Sequence, residues 1–373
     1  MTKKLLPTMI GVALAGSMAA AQADVTVFGH IDTSIVASDN YVTSGESDNS
    51  FVCTTCSIGF KGSEDLGNGL KAIFKIDFQY DTTTRNNGKV SQSKTTGGNV
   101  TNVSGSTDSI TDRDQWLGLA GNFGQVRVGT ISTSYKSHGA MLDPAYRTVI
   151  QQRDWLLQSV LHTGAGENGQ GRATNTVRYD TPDWNGLKGT AHYSLNSAEQ
   201  GQSFNAWGAG AQYSNGGLLV FADYITANAN SNNSNNDNDD AYKVGAKYTF
   251  GNFAVFGQYE VDNGLISAGN VAYGYLRNSG ITQIDDGADL WMLGGTYTMG
   301  NNTLYGAYSS GDDADGAQAG GVNVDTGYDA WEVGAIHSMS KQTLVYVGYG
   351  DISYNENSVD DSNAWALGMK HKF

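Results

Sequence analysis

Two cysteines and six histidines are the side chains of this chain best suited to redox chemistry, nucleophilic catalysis or metal binding. The cysteines form the motif Cys53-Thr-Thr-Cys56, whose spacing permits a local disulfide in an exported protein. A redox pair would need a thioredoxin-like βαβ context, and a metal site would need further Cys or His residues nearby. The sequence offers neither. A structural disulfide at the start of a strand is therefore favoured, and free thiols are the alternative.

The histidines and acidic clusters do not form a recognisable catalytic or metal motif. The histidines are scattered, without the HExxH spacing of zinc proteases, and no GxSxG motif is present. Aspartate clusters such as Asp312, Asp313 and Asp315 supply the oxygen ligands that Ca²⁺ prefers. Solvated acidic loops are the favoured explanation, and a calcium site is the alternative. We therefore expect no enzyme, no cofactor and no metal; a barrel lipase or protease is the enzymatic rival.

The first 23 residues have the organisation of a secretory signal peptide. Lys3 and Lys4 precede a short apolar run, and the segment ends with the small residues of Ala21-Gln22-Ala23. The run is well short of the roughly 20 residues that a membrane-spanning helix needs. Residues 24–373 then form the mature protein, and the loss of two lysines changes its formal charge from −15 to about −17. This acidity argues against a nucleic-acid partner.

Alternation of apolar and polar residues dominates the mature sequence. In residues 72–80, Phe74, Ile76 and Phe78 alternate with Lys75 and Asp77. Similar short segments recur to the end of the chain, glycine is abundant with 49 residues, and proline is rare with 3. This composition, without long amphipathic helices, predicts one large all-β structure made of many short strands.

The connections between these strands alternate in length. Seven are short turns, such as Gly67-Asn68-Gly69 and Gly251-Asn252, and eight are longer, including 82–109 and 131–171. Fifteen connections indicate about sixteen strands. A soluble sandwich would bury the apolar faces between two sheets. The charged opposite faces and the alternating connections instead favour a transmembrane antiparallel β-barrel with short periplasmic turns and long external loops.

Several motifs resemble those of the general diffusion porins of Gram-negative outer membranes. They are VTVFG at 25–29, GFKGSEDLGNGLKAIF at 59–74, NTVRYDTP at 175–182 and the ending GMKHKF at 368–373. The resemblance extends over the whole mature chain. It implies a homotrimer of sixteen-stranded barrels in the outer membrane, in contact with lipid and lipopolysaccharide. It also implies that the third external loop, here 131–171, folds into the lumen. The terminal Phe373 resembles the signal read by the barrel assembly machinery.

The resemblance also suggests which residues form the pore constriction. In the family, basic wall residues face carboxylates on the infolded loop. Arg178 and Lys61 match the family's basic positions, whereas Ser57 and Thr130 stand where arginines are expected. The nearby residues that would compensate are Lys75, Arg113, Arg127 and Arg172. The loop carboxylates are Asp143, Asp154 and Glu167.

The predicted function is passive diffusion of ions and small hydrophilic solutes. The reduced number of wall arginines and the acidic external loops together predict a preference for cations. Two alternatives remain open. A substrate-specific porin would be expected to carry a track of aromatic residues along its lumen, and an adhesin, phage receptor or structural barrel would act through its exposed loops.

The first prediction concerns the amino terminus. We expect the protein isolated from membranes to begin at Asp24, because the small residues at positions 21 and 23 fit the signal peptidase. Intact mass and amino-terminal sequencing measure this directly. A mature protein that begins at Met1, in a fraction whose export is verified, would contradict it.

Overall fold

Sixteen long strands form the frame of the protein. The computed structural model describes residues 24–39, 49–83, 92–96, 99–103, 110–159, 171–195, 206–227, 239–263, 281–283, 287–319, 321–356 and 360–373. Within these ranges the strands are β1 (Asp24–Asp39), β2 in two segments (Asn49–Cys53 and Ser57–Gly67), β3 (Leu70–Tyr80), β4 (Ile110–Gly121), β5 (Gly124–Ser132), β6 (Arg172–Asp180), β7 (Leu187–Ser194), β8 (Ala206–Asn215), β9 (Leu218–Ala227), β10 (Asp239–Phe250), β11 (Phe253–Asn263), β12 (Leu290–Met299), β13 (Asn302–Gly311), β14 (Tyr328–Ser338), β15 (Thr343–Tyr354) and β16 (Ser362–Lys372).

The sheet closes on itself. Each strand pairs with the next in antiparallel orientation, and β1 pairs with β16 from His30 opposite Lys372 to Asp39 opposite Asn363. Closure leaves no edge strand in this described barrel sheet, so its backbone N–H and C=O groups find partners in neighbouring strands, as a hydrocarbon environment requires. Among the described residues, five short strands lie outside it in two small sheets: Gln92–Thr96 with Asn99–Val103, and Ile281–Gln283 with Gln318–Ala319 and Val322–Asn323. The prediction of an all-β, sixteen-stranded antiparallel barrel is confirmed, including the alternation of short turns with longer connections.

Apolar side chains cover the outside of the barrel. On β16, Trp365 and Leu367 are 58% and 57% exposed, whereas Ala364 and Ala366 are 0% and 3% exposed. Successive side chains of a strand point to opposite faces, so the alternation seen in the sequence separates an apolar outer face from an inner one. Aromatic side chains form rows near both ends, with Trp331, Tyr349 and Trp365 in contact at one end and Phe250, Phe253 and Tyr297 at the other.

Strand β2 is interrupted by the CTTC motif. Strand β1 pairs with Ser57–Ser63 through residues 24–30 and with Asn49–Cys53 through residues 33–37. Cys53 and Cys56 form a disulfide across the interruption. The inward-facing ring of His30 lies within 3.3 Å of the Thr55 hydroxyl and 3.1 Å of the Ser57 hydroxyl. The motif is therefore a bulge in the wall, packed against a polar residue of the first strand.

The connection after β5 lies inside the barrel over its described residues, 133–159. It contains a short helix (Ser134–Gly139) and a 3-10 turn (Gln152–Trp155). Over the described residues, the helical structure of this connection is thus limited to one short α-helix and one 3-10 turn. No helix among the described residues is long and apolar enough to cross a membrane.

Apolar residues attach this segment to one side of the inner wall. Ile150, Trp155 and Leu157 are at most 1% exposed and belong to a cluster with inward residues of β9 and β11–β16. Two glycines of β15 make room for them. A Cβ at Gly348 would lie 2.8 Å from Ile150, and a Cβ at Gly350 would lie 2.4 Å from the Trp155 ring. The core of the protein is thus an interface between an inserted segment and one half of the wall.

The Gly350 position tests this packing. We expect Gly350→Val to displace the Trp155 ring and to lower the free energy of unfolding by about 1–3 kcal/mol, the usual cost of overpacking. Urea titration of the barrel in phospholipid vesicles measures this change. Gly306→Ala is the control, because a Cβ there would meet Val333 at an ordinary 3.5 Å. Equal stability of the Gly350→Val variant and the native protein would show that Trp155 is not held tightly against β15.

Candidate functional site: the charged wall of the barrel interior

Basic side chains and carboxylates interleave on the inner face of β3–β6. Lys75 lies 2.8 Å from Asp114 and 3.5 Å from Asp77. Arg113 lies 3.4 Å from Asp77, and Arg172 lies 3.3 Å from Asp114. Since these strands are neighbours, their inward positions place both signs of charge within a few ångströms. Three of the predicted constriction residues on the wall, Lys75, Arg113 and Arg172, therefore belong to one paired network.

Asp180 is the centre of a second paired network. It accepts hydrogen bonds from Arg178 at 2.9 and 2.7 Å, from Gln125 at 3.1 Å and, at short distance, from Arg127. Arg178 also donates to the carbonyl oxygen of Ser132, where the inserted segment begins. The guanidinium of Arg178 thus pairs with a carboxylate of its own strand rather than with one of the inserted segment. We call Lys75, Arg113, Arg127, Arg172 and Arg178, with their carboxylates Asp77, Asp114 and Asp180, the charged wall.

Lys61 is exposed and lies at the margin of this group. Its ammonium is 5.5 Å from the centre of the Phe28 ring, and that of Lys75 is 5.4 Å from the same ring. Both lysines therefore face inward beside one aromatic side chain of β1. Among the described ion pairs, none involves Lys61, so its positive charge is less compensated than those of the charged wall.

The carboxylates Asp143 and Asp154 of the inserted segment make contacts within the segment itself. Asp143 accepts hydrogen bonds from the N–H groups of Ala145 at 2.8 Å and Gln152 at 3.0 Å. Asp154 lies 3.4 Å from Arg153 and accepts a hydrogen bond from Gln151 at 2.8 Å. These contacts fold residues 143–154 into a compact turn. Glu167, the third predicted carboxylate, lies outside the described residues.

Burial changes the protonation of the inserted segment. It raises the pKa of the Asp143 carboxyl to about 7, although the two backbone N–H donors lower it. Burial also raises the pKa of Asp154. It lowers the pKa of the Lys136 ammonium well below its usual range, and Arg172, Arg153 and Arg113 lower it further. Burial therefore favours the uncharged forms of all three groups.

Sequence reasoning missed the residues that connect the segment to the wall. Lys370 donates to the carbonyl oxygen of Tyr146 at 2.7 Å, and Ser309 and Tyr328 donate to that of Leu156 at 3.1 and 2.9 Å. Glu260 accepts from Tyr135 at 2.8 Å and from Ser159. By the alternation of apolar and polar residues in the sequence, Lys370 and Glu260 fall on the polar faces of their strands. No sequence signal identified their partners, which lie 101 to 224 residues away.

The other predicted positions have simpler surroundings. Phe373 exchanges two 3.1 Å backbone hydrogen bonds with Gly29, against which its ring packs at the end of the barrel. In the part of the chain that the structure describes, no group of three or more His, Cys, Asp or Glu residues is arranged to hold a metal ion. The arrangement thus consists of a charged inner wall, a terminal strand that seals the barrel and an inserted segment.

These features define a class of protein, a transmembrane β-barrel with a polar interior. Comparison with known proteins identifies the family. A model described as Gram-negative porin matches residues 8–357, and the chain therefore belongs to that family. Membership of the family and the apolar outer face place the protein in the outer membrane.

Curated relatives include major outer membrane proteins of Neisseria. P.IB of Neisseria meningitidis serogroup A is 30% identical over 220 residues, which are 57% of this chain and 57% of the relative. P.IB of Neisseria gonorrhoeae is 28% identical over 225 residues, which are 58% of this chain and 55% of the relative. The chain thus spans a little more than half the length of these curated relatives.

Solved structures show a similar fold. The anion-selective porin from Comamonas acidovorans has a TM-score of 0.65 at 18% identity and covers 94% of this chain and 100% of its own. Salmonella typhi OmpF, in complex with daunomycin, has a TM-score of 0.66 at 18% identity, with 94% and 97% coverage. A trimer form of Vibrio cholerae OmpT has a TM-score of 0.62 at 15% identity, with 94% and 99% coverage. At these identities the likeness concerns the fold alone.

Removing the charge of Asp180 tests how much the pairing of charges stabilises the charged wall. We expect Asp180→Asn to lower the free energy of unfolding by about 1–3 kcal/mol, because Arg127 and Arg178 lose a shared charged acceptor. Urea titration in vesicles measures the change, and adding Arg127→Gln should restore part of it by removing the like-charge contact. Asp183→Asn is the control, since the Lys188–Asp183 pair is exposed and should contribute nothing measurable. If the Asp180→Asn variant has the same free energy of unfolding as the native protein, water solvates Arg127 and Arg178 as well as this carboxylate does.

Proposed function

We propose that the protein is an outer-membrane channel through which ions and small hydrophilic solutes diffuse passively, without catalysis or a cofactor. The observation that carries the proposal is the difference between the two halves of the inner wall of the barrel. One half of the inner wall is covered by the apolar side of segment 133–159, while the other half carries the charged wall. Charged side chains favour water over apolar contact, so the open path for solutes runs between the segment and the charged wall.

The constriction in this proposal is the segment 131–171. Its described part is attached to the wall by apolar packing and hydrogen bonds. This attachment supports the proposal that the segment narrows the lumen permanently and does not move as a free loop. Passage then depends on the width beside the segment and on the charges that face it, as in other channels. The proposed charges along the path are Lys61, Lys75, Arg113, Arg127, Arg172 and Arg178 on the wall and Asp143 and Asp154 on the segment; Glu167, also predicted from the sequence, lies outside the described residues.

We propose a cation preference that depends on salt. Exposed carboxylates at the outer end, such as Asp312, Asp315, Asp360 and Asp361, attract cations to the entrance. The charged wall opposes this with five basic residues against three carboxylates, but mutual pairing reduces its field. The entrance charges act over longer distances than the paired wall. Their effect should therefore weaken as the Debye length falls from about 10 Å at 0.1 M to about 3 Å at 1 M salt.

The proposed partners follow from the same family. The trimer form of a structural relative supports a homotrimer, and the apolar outer face would contact lipid and lipopolysaccharide. Phe373 would be read by the barrel assembly machinery before β16 pairs with β1. A substrate-specific porin is the second candidate, and a barrel that acts mainly as adhesin or structural protein is the third.

Planar-bilayer recordings of the folded protein test this function. We expect stepwise ion conductance, and reversal potentials in KCl gradients should indicate cation preference near 0.1 M and a smaller preference near 1 M. Replacing Asp312, Asp315 and Asp360 with asparagine should reduce the preference at low salt and leave it nearly unchanged at high salt.

Three other results would separate the alternatives. Chloride carrying most of the current at low salt would refute the cation preference and assign selectivity to the charged wall. Strong block of the current by one class of solute at low concentration would favour a substrate-specific porin. Absence of conductance steps would reject the channel in favour of an adhesin or structural barrel.

A further inference from the structure

Glu260 is a buried carboxylate on the inner face of β11. It is 2% exposed and lies between Gln258 and Asp262 on the same face. Its register partner across the sheet is Lys243 of β10. A carboxylate removed from water in this way requires hydrogen-bond donors, and Glu260 obtains most of them from a different part of the chain.

The donors come from the two ends of the described inserted segment. Oε2 accepts a hydrogen bond from the Tyr135 hydroxyl at 2.8 Å and another from the Ser159 hydroxyl. Oε1 accepts from the Ser159 backbone N–H at 3.1 Å and from the Gln258 amide. One side chain of the wall therefore joins residues 135 and 159. Residues 135 and 159 are 24 positions apart, and the chain between them forms a loop that Glu260 closes at β11.

The surroundings of Tyr135 reinforce this junction. The Lys243 ammonium lies 4.0 Å from the centre of the Tyr135 ring, and Tyr135 itself is 1% exposed. On the neighbouring β9, Asp223 lies 2.9 Å from Nδ1 of His138, one helical turn further along the segment. The aromatic ring is thus held by a cation on one face while its hydroxyl is directed at Glu260.

Other carboxylates of the lumen do not have this arrangement. Glu332 of β14 is equally buried at 1% exposure, yet neither of its oxygen atoms accepts a hydrogen bond among the described residues. Asp143 and Asp154 bond within the segment, and Asp180 bonds within the charged wall. Among the carboxylates for which the structure gives contacts, Glu260 is distinguished by bonding two residues of the segment that lie far apart in the chain, Tyr135 and Ser159.

We propose that Glu260 is the positioning residue of the constriction: it holds Tyr135 and Ser159 together at β11, and thereby sets where residues 133–159 lie in the lumen and how wide the path beside them is. The proposal rests on the proposed function, in which this segment sets the path for solutes. Apolar packing at Trp155 and Ile150 keeps the middle of the segment on β15. The charged junction at Glu260 keeps Tyr135 and Ser159 at β11.

Limited proteolysis of the folded barrel tests the junction without reference to conduction. Arg147 and Arg153 lie within the segment and are half-buried. We expect Glu260→Ala to raise the rate of trypsin cleavage after these residues by about tenfold or more, since hydrogen bonds to a charged group are lost and cleavage follows the open population. Glu260→Gln, which keeps one acceptor oxygen, should give a smaller rise. Unheated gel mobility verifies that each barrel is folded.

Two matched variants make the test specific. Glu332→Gln changes an equally buried wall carboxylate and should leave cleavage at the native rate. The double change Tyr135→Phe and Ser159→Ala removes the segment's side-chain donors with the wall intact and should reproduce much of the Glu260→Ala effect. Native cleavage rates in Glu260→Ala, or an equal rise in Glu332→Gln, would overturn the proposal.

Bilayer recordings then test whether the contacts of Glu260 with the segment control the width of the path for solutes. Glu260→Ala should show frequent conductance substates, and these should be rarer in Glu260→Gln and absent in Glu332→Gln. Steady native conductance in Glu260→Ala, together with rapid cleavage, would overturn the assignment of Glu260 to the path width. If the native protein conducts no ions, the proposed function fails, while the cleavage rates still decide whether Glu260 holds the segment.

Discussion

The pairing of the first strand with the last is the constraint on which the structure depends. A sheet that faces hydrocarbon cannot leave an unpaired edge, because each unsatisfied N–H or C=O group is costly there. Ten register pairs join β1 to β16, and the exchange between Gly29 and Phe373 extends this seam to the last residue. Once the ring is closed, alternation along every strand assigns apolar side chains to the outside and polar or small ones to the inside.

A closed ring of sixteen strands encloses more space than its inward side chains fill. Here part of that space is occupied by the connection between β5 and β6. Its apolar side chains meet a wall of small residues, and the contacts of Ile150 with Gly348 and of Trp155 with Gly350 leave no room for a side chain at either glycine. The inner wall is therefore asymmetric. Small and apolar positions of β12–β16 pack against the segment, and β3–β6 carry the charged wall.

On the inner face of β3–β6, the arrangement of the side chains is determined by the pairing of basic groups with carboxylates. Asp114 contacts Lys75 and Arg172, and Asp180 contacts Arg127 and Arg178, so each carboxylate separates two basic groups that would otherwise repel. Compensation of this kind keeps five basic residues close together in a confined space. It also leaves a modest excess of positive charge, which explains how an acidic protein can present a basic wall inside. In the proposed channel, the acidic entrance would attract cations, and the wall with its excess of basic residues would attract anions.

The sequence alone determined the barrel. Alternation at residues such as Phe74, Lys75 and Ile76 is a local property, and the order of short and long connections sets the strand number without knowledge of any long-range contact. The position of the inserted segment followed from the same count, and the inward direction of Lys75 and Arg178 followed from alternation.

Only the tertiary structure decided which charges meet: Arg178 with Asp180, Asp143 with the backbone of Ala145 and Gln152, and Glu260 with Tyr135 and Ser159. The physical reason is that alternation specifies a face of a strand, whereas a hydrogen bond between residues more than a hundred positions apart depends on the curvature of the closed sheet and on how the segment folds within it.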